Sequence, residues 1–208
     1  MPDVISQQVD NGLYVHKHGN AILAIADYSA DVPDAFFGAD GLPSTLPDGY
    51  KVMGYVTTDG FTQSSSISAN DTQMLQSLDP VRSDMESLTK TLKATFGEAS
   101  AWVNSIYSGM QVADWAATNS DVYQIDEGST SEFPYYRILL LTQDGVGADA
   151  WYHVDFAYRA KVTNLGDRTL SRADSESYET TFTCYLDPDV NKSYTKGGSR
   201  AIAQGSGS

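Results

Sequence analysis

Residues able to do acid–base or metal chemistry are few. The chain carries three histidines, His16, His18 and His153, and one cysteine, Cys184. His16 and His18 stand two apart, so on a strand their imidazoles share a face and suit two positions of a metal site. No third ligand lies near them, and a solvated N-terminal arm accounts for the pair. His153 falls within the alternating run "WYHVDFAYRAKV", on the side opposite the core face, and reads as a surface or interface histidine. "DPDVN" puts Asp187, Asp189 and Asn191 at the first, third and fifth places of a calcium loop. Lys192 then stands where that loop needs glycine, and Gly198 where it needs a bidentate glutamate, so a turn closing a strand is the better account. Cys184 alternates with apolar residues and is expected to be buried and inert. Acid pairs such as Asp126 and Glu127 are common in so acidic a chain. No phosphate-cradling glycine loop, paired-histidine zinc helix or serine elbow is present. No catalytic residue, metal or cofactor follows from these residues, and the chain is expected not to be an enzyme.

Composition says more about architecture. The 208 residues include 23 Ser, 17 Thr and 13 Tyr, a set that favours strands and turns. Acids outnumber bases 27 to 13, and 21 of the acids are Asp, a turn and cap residue, against 6 Glu, a helix former. The net charge of −14 argues against tight nucleic-acid binding, which needs Lys and Arg to displace counterions. It is compatible with a surface past which nucleic acid slides. A single cysteine allows no internal disulfide. The longest apolar runs, "AILAIA" and "ILLL", are too short to span a membrane, and no signal-peptide core is seen near the start. A soluble cytoplasmic protein is the expectation.

Elements follow from periodicity. Residues 1–45 read as an N-terminal arm and irregular segment. "AILAIADYS" is a strand or an arm in need of a partner, and Phe36 and Phe37 are a possible anchor. Asp59-Gly60 lies between two alternating runs and predicts a type I′ hairpin turn, since both central positions need positive φ. The polar stretch "TQSSSISANDTQMLQSLDP" follows as a solvated ribbon. "DPVRSDMESLTKTLKATF" fits a helical stripe or a strand, and the alternate threonines favour strand. "EASAWVNSIYSG" predicts the one helix, near 98–108, with Trp102, Val103 and Ile106 on its docking face and Gly109 as its stop. "YYRILLLTQ" reads as a strand covered on both faces. "WYHVDFAYRAKV" places Tyr152, Val154, Phe156, Tyr158, Ala160 and Val162 on one face, and "YETTFTCYL" is the last clear strand. Residues 191–208 read as a C-terminal tail. The fold expected is mainly β: a β-sandwich or partly open barrel over 46–190, with one flanking α-helix and extended arms.

The order of these segments resembles the major tail proteins of bacteriophages with long non-contractile tails. "LPDGYKVMGYVTTDGFTQS" resembles that family's opening hairpin. "MLQSLDPVRS" is similar to its link into the next strand, "LKATFGEASAWVNSIYSG" to its strand-then-helix, and "WYHVDFAYRAKVTNLGDRTLSRADSESYETTFTCYLDPD" to its closing strands. The resemblance covers roughly residues 46–190 and rests on order, not on any one motif.

It implies a virion structural protein forming stacked, usually six-membered rings: a hollow tail tube through which the genome passes. The implied partners are copies of the chain itself and the tail terminator, tail tip and tape measure proteins, with DNA only as transiting cargo and no membrane. The implied location is the virion tail, after assembly in the host cytoplasm. Sheet edges left unpaired in one subunit would be completed by the next. Phe61 to Pro80 would then be an inter-ring or inter-subunit element, with Phe61, Gln63, Ser65, Ile67, Asp71, Met74, Leu75 and Leu78 as contact candidates. Basic residues such as Arg82, Lys90 and Lys93 would sit at subunit contacts. Other readings are a different virion β-sandwich, such as a head–tail joining or injection-system tube protein, and a carbohydrate-binding module using its aromatics for stacking.

Overall fold

The computed structural model describes residues 15–119, 122–128, 132–147 and 150–200. Among the described residues the fold is mainly β with one α-helix. Its strands are β1 (Asn20–Asp27), β2 (Lys51–Val52), β3 (Val56–Met74), β4 (Ser77–Phe96), β5 (Tyr135–Asp144), β6 (Trp151–Leu165), β7 (Tyr178–Tyr185) and β8 (Tyr194–Arg200), and its helix is α1 (Ala101–Tyr107). All pairings are antiparallel, in the order β2-β1-β5-β6-β7-β4-β3, with β8 beside the first half of β6. The two ends of this order, β2 and β3, are joined by only Met53, Gly54 and Tyr55. Three residues cannot span a flat sheet of this width, so the sheet curls into a partly open barrel.

The concave side holds the main core. Leu23 and Ile25 of β1, Leu92, Ala94 and Phe96 of β4, Ile138 of β5 and Phe182 of β7 form one cluster with Val103 and Ile106 of α1. That strands from both ends of the order share one cluster with the helix is the packing consequence of the curl. Seven residues of helix are too short to be stable alone. α1 is stopped by Gly109 at φ 69, with Met110 N donating to Ser105 O and Gly109 N to Ile106 O. It is then tied to the sheet through the Tyr107 hydroxyl, which donates to the Glu179 carbonyl at 2.7 Å.

The convex side has a smaller core. Ala24, Leu139, Val154, Phe156 and Tyr158 meet Val32, Phe36, Phe37, Leu46 and Tyr50 from the loop between β1 and β2. Phe36 and Phe37 are anchors as expected, the Phe36 ring lying 5.2 Å from that of Phe156. β5 is therefore covered on both faces, by α1 and by this loop, which is why its centre is continuously apolar.

Four expectations are corrected. Asp59-Gly60 is not a hairpin turn: β3 runs through it, and Thr57–Gly60 bulge opposite the single residue Thr95, with Gly60 at φ 67. A bulge calls on the same positive-φ tolerance as a turn, so the pair marks a kink without reversing the chain. The hairpin instead turns at Leu75-Gln76. Residues 1–45 are not all arm, since β1 is an interior strand paired with β5 over eight residues. Residues 191–208 are not all tail, since β8 pairs with Trp151–Ala157 of β6. β6 does not keep one buried face: a bulge opposite Tyr136–Ile138 shifts its phase. Val154, Phe156 and Tyr158 consequently face the convex core and Ala157, Ala160 and Val162 the concave one. His153 thus turns to the concave side.

Candidate assembly interface

β3 leaves the body and β4 returns to it. β4 pairs with β7 only from Lys90 to Phe96. From Ser66 to Met74, β3 has β4 as its sole strand partner among the described residues. The nine residues of the β3 arm at about 3.3 Å each make a two-stranded ribbon roughly 30 Å long.

The ribbon has two unlike faces. Directly opposed residues share a face, so the pairs Phe61↔Ala94, Gln63↔Leu92, Ser65↔Lys90, Ile67↔Leu88, Ala69↔Met85 and Asp71↔Ser83 form one row. That row extends the core face outward: Leu92 is fully buried, whereas Leu88, Ile67 and Met85 are 51%, 66% and 68% exposed. The other row, Thr62↔Lys93, Ser64↔Thr91, Ser66↔Thr89 and Ser68↔Ser87, is hydroxyls and a lysine. The shift between Ser68 and Ala69, where Glu86 is the extra residue of β4, keeps apolar residues on the first row past it.

The candidate residues therefore divide. Phe61 packs on the concave core. The Gln63 amide oxygen accepts from Lys196 Nζ of β8 at 2.5 Å, which fixes the ribbon's root. Ser65, Ile67, Asp71, Met74 and Leu75 are exposed, with Leu75 at the turn and Leu78 in the returning strand. Trp102 of α1 is half-buried, its indole donating to the Ala116 carbonyl, and Val103 and Ile106 are fully buried. The basic residues have contacts inside the chain. Lys93 pairs with Glu179 at 2.7 Å, Lys90 lies over the Tyr194 ring at 5.5 Å, and Arg82 pairs with Asp84 at 2.6 Å.

The barrel mouth gathers the histidines. His16 lies 3.2 Å from Asp144 and stacks on Trp151, His18 lies 2.8 Å from the Thr142 hydroxyl, and His153 lies 3.1 Å from Asp155. The rings of His18 and His153 are 6.1 Å apart across a cavity of about 910 Å³. Among the described residues no three His, Cys, Asp or Glu side chains are arranged to hold a metal. These contacts dock the segment before β1 against β5 and β6. The Lys17 amide, donating to Asp144 at 3.1 Å, is the main reason that carboxyl stays below its ordinary range. Cys184 is buried, and burial pushes its thiol up to about 11, so it is a packing residue.

A buried charge node went unread in the sequence. Arg137, alone among the apolar residues of β5, donates to Asp187 at 2.9 Å and to the carbonyls of Ala30 and Tyr158. Asp187 is fully buried and also accepts from the Tyr28 hydroxyl at 2.9 Å and the Asp189 amide at 3.0 Å. Burial alone would raise the Asp187 carboxyl. The bonds from Tyr28, Asp189 and Arg137, with the Arg137 charge, outweigh it and hold the group below its ordinary range. The acids of "DPDVN" are therefore a lock closing the strand end. The available signal was one arginine in "YYRILLLTQ", because a buried charge requires a partner.

No protein-family model and no curated protein matches the chain.

Proposed function

We propose that this chain is a structural subunit that assembles with copies of itself into stacked rings, the tail tube of a long-tailed bacteriophage. The observation that carries the reading is the ribbon. A two-stranded hairpin with no third strand is marginal in water, and the stripe of Ile67, Leu88 and Met85 would gain stability only from another surface. The outer edge of β3 has no strand partner among the described residues, a row of N–H and C=O groups open to a neighbouring sheet. A contact between unlike surfaces of identical subunits closes into a ring or propagates as a filament. An open barrel with one helix and a long ribbon suits both. At −14 per subunit, a channel so built repels DNA and lets it pass.

The test is assembly. Purified protein is expected to sediment as monomer or small oligomers when dilute and to form rings or hollow tubes on concentration, visible by negative-stain electron microscopy. A single unstacked ring would point to a joining role instead. Protein that stays monomeric at high concentration, with ribbon amides already protected from hydrogen exchange, would end the proposal.

A further inference from the structure

The ribbon tip breaks the rules of hairpin turns. Two-residue turns favour Asn-Gly or Gly-X with positive φ, to match strand twist. Here they are Leu75-Gln76, and Asn191 is the one non-glycine among the described residues with positive φ. Leu75 is 100% exposed, the most exposed large apolar side chain described, and Met74 beside it is 52% exposed. An apolar residue where turn chemistry asks for Asn or Gly is a local rule broken, which is the mark of a site selected for something else.

A receptor of matching character lies elsewhere on the molecule. A cavity of about 200 Å³ opens between the loop before β2 and the convex face of the sheet. Phe36 and Leu46 wall it, Leu139 and Val154 floor it, and Ile22 and Val52, 39% and 48% exposed, stand at its rim. An apolar cavity of that order holds a benzene-sized group, so it has room for one aliphatic side chain. The ribbon of the same chain is badly placed to fill it. The ribbon's apolar face continues the concave side, whereas the cavity opens on the convex one. A neighbouring copy is within reach: roughly 30 Å of ribbon compares with a body about 40 Å across.

We infer that Met74 and Leu75 at the ribbon tip of one copy insert into the convex-face pocket rimmed by Ile22 and Val52 of a second copy. The contact joins two different surfaces, so it leaves each added copy with a free tip or a free pocket and propagates. The inference rests on the assembly reading and names the receptor within it.

Cross-linking tests it. The variant carrying both Leu75→Cys and Val52→Cys, oxidised under assembly conditions, is expected to give a ladder of disulfide-linked multimers on a non-reducing gel. Each single variant alone should give dimers at most. Cys184 is buried, with its thiol raised to about 11, and stays out of the reaction. Leu75→Ser should raise the concentration needed for assembly about ten- to a hundredfold, the worth of one buried leucine. Val52→Trp, filling the rim from an exposed position, should do the same while leaving the melting temperature unchanged. Wild-type assembly weakened by Leu75→Ser, but with no ladder and no effect of Val52→Trp, overturns the pocket as receptor and leaves the assembly reading standing. A wild-type chain that never assembles overturns both.

Discussion

The β3–β4 hairpin is one structure in two environments. Near its root Leu92, Ala94 and Phe96 are fully buried; farther out, on the same face and in the same pairing, Leu88, Ile67 and Met85 are more than half exposed. Alternation is equally clear in both parts, and the backbone is hydrogen-bonded in both. What differs is what stands opposite: α1 and β5 at the root, nothing described at the tip. Strand patterning thus specifies which face is apolar, and the rest of the chain decides whether that face is already satisfied. An apolar row that outruns its own core is the expected form of an interface.

The body should respond most strongly to change. Phe96→Ala empties a fully buried site shared by the sheet and α1, and should cost about 3–5 kcal/mol in urea unfolding. Arg137→Met leaves Asp187 buried without its cation and should cost a similar 3–5 kcal/mol. Hydrogen bonds from Tyr28, Asp189 and Arg137, with the Arg137 charge, hold the Asp187 carboxyl below its ordinary range in the folded chain. Its contribution is therefore full above the unfolded value and is lost as pH falls through the lowered one. Asp187→Asn should remove that acid-limb dependence, read as a flatter stability profile below pH 4. An unchanged acid limb in the variant would show that other carboxylates govern acid unfolding.

The bulge should give an intermediate effect. Gly60 holds φ 67 where β3 enters the ribbon. Gly60→Val should cost about 1–2 kcal/mol, because a branched side chain is disfavoured there. If the kink also aims the ribbon, assembly should fall by more than the melting temperature indicates. Equal effects on both would make the bulge a feature of the body alone.

The sequence carried the element types and missed several placements, for physical reasons. Alternating threonines marked β4 correctly, and the spacing of Trp102, Val103 and Ile106 with Gly109 marked α1. Asp59-Gly60 was ambiguous because glycine's freedom at positive φ serves bulges and turns alike. β1 and β8 lacked local marks of pairing, since their partners β5 and β6 lie more than a hundred and about forty residues away. The phase shift in β6 is a register effect that composition does not record. In the candidate interface, the polar character of 61–80 was plain, whereas the apolar row through Ile67, Leu88 and Met85 emerged only once β3 and β4 were set in register.

The ribbon should respond least in stability and most in association. Replacing Ile67 and Leu88 with serine together removes an opposed apolar pair whose members are 66% and 51% exposed. Each exposed site is worth within about 0.5 kcal/mol of folding stability. The double variant should therefore unfold in urea almost as the parent does, and its concentration for assembly should rise. Amides of Ser66–Met74 should exchange faster than those of Leu92–Phe96 in the monomer and slow on assembly. If instead the double variant loses several kcal/mol of monomer stability, the row is already packed in the single chain. The root and tip of the hairpin would then be one environment, with no unmet surface left for a neighbour to cover.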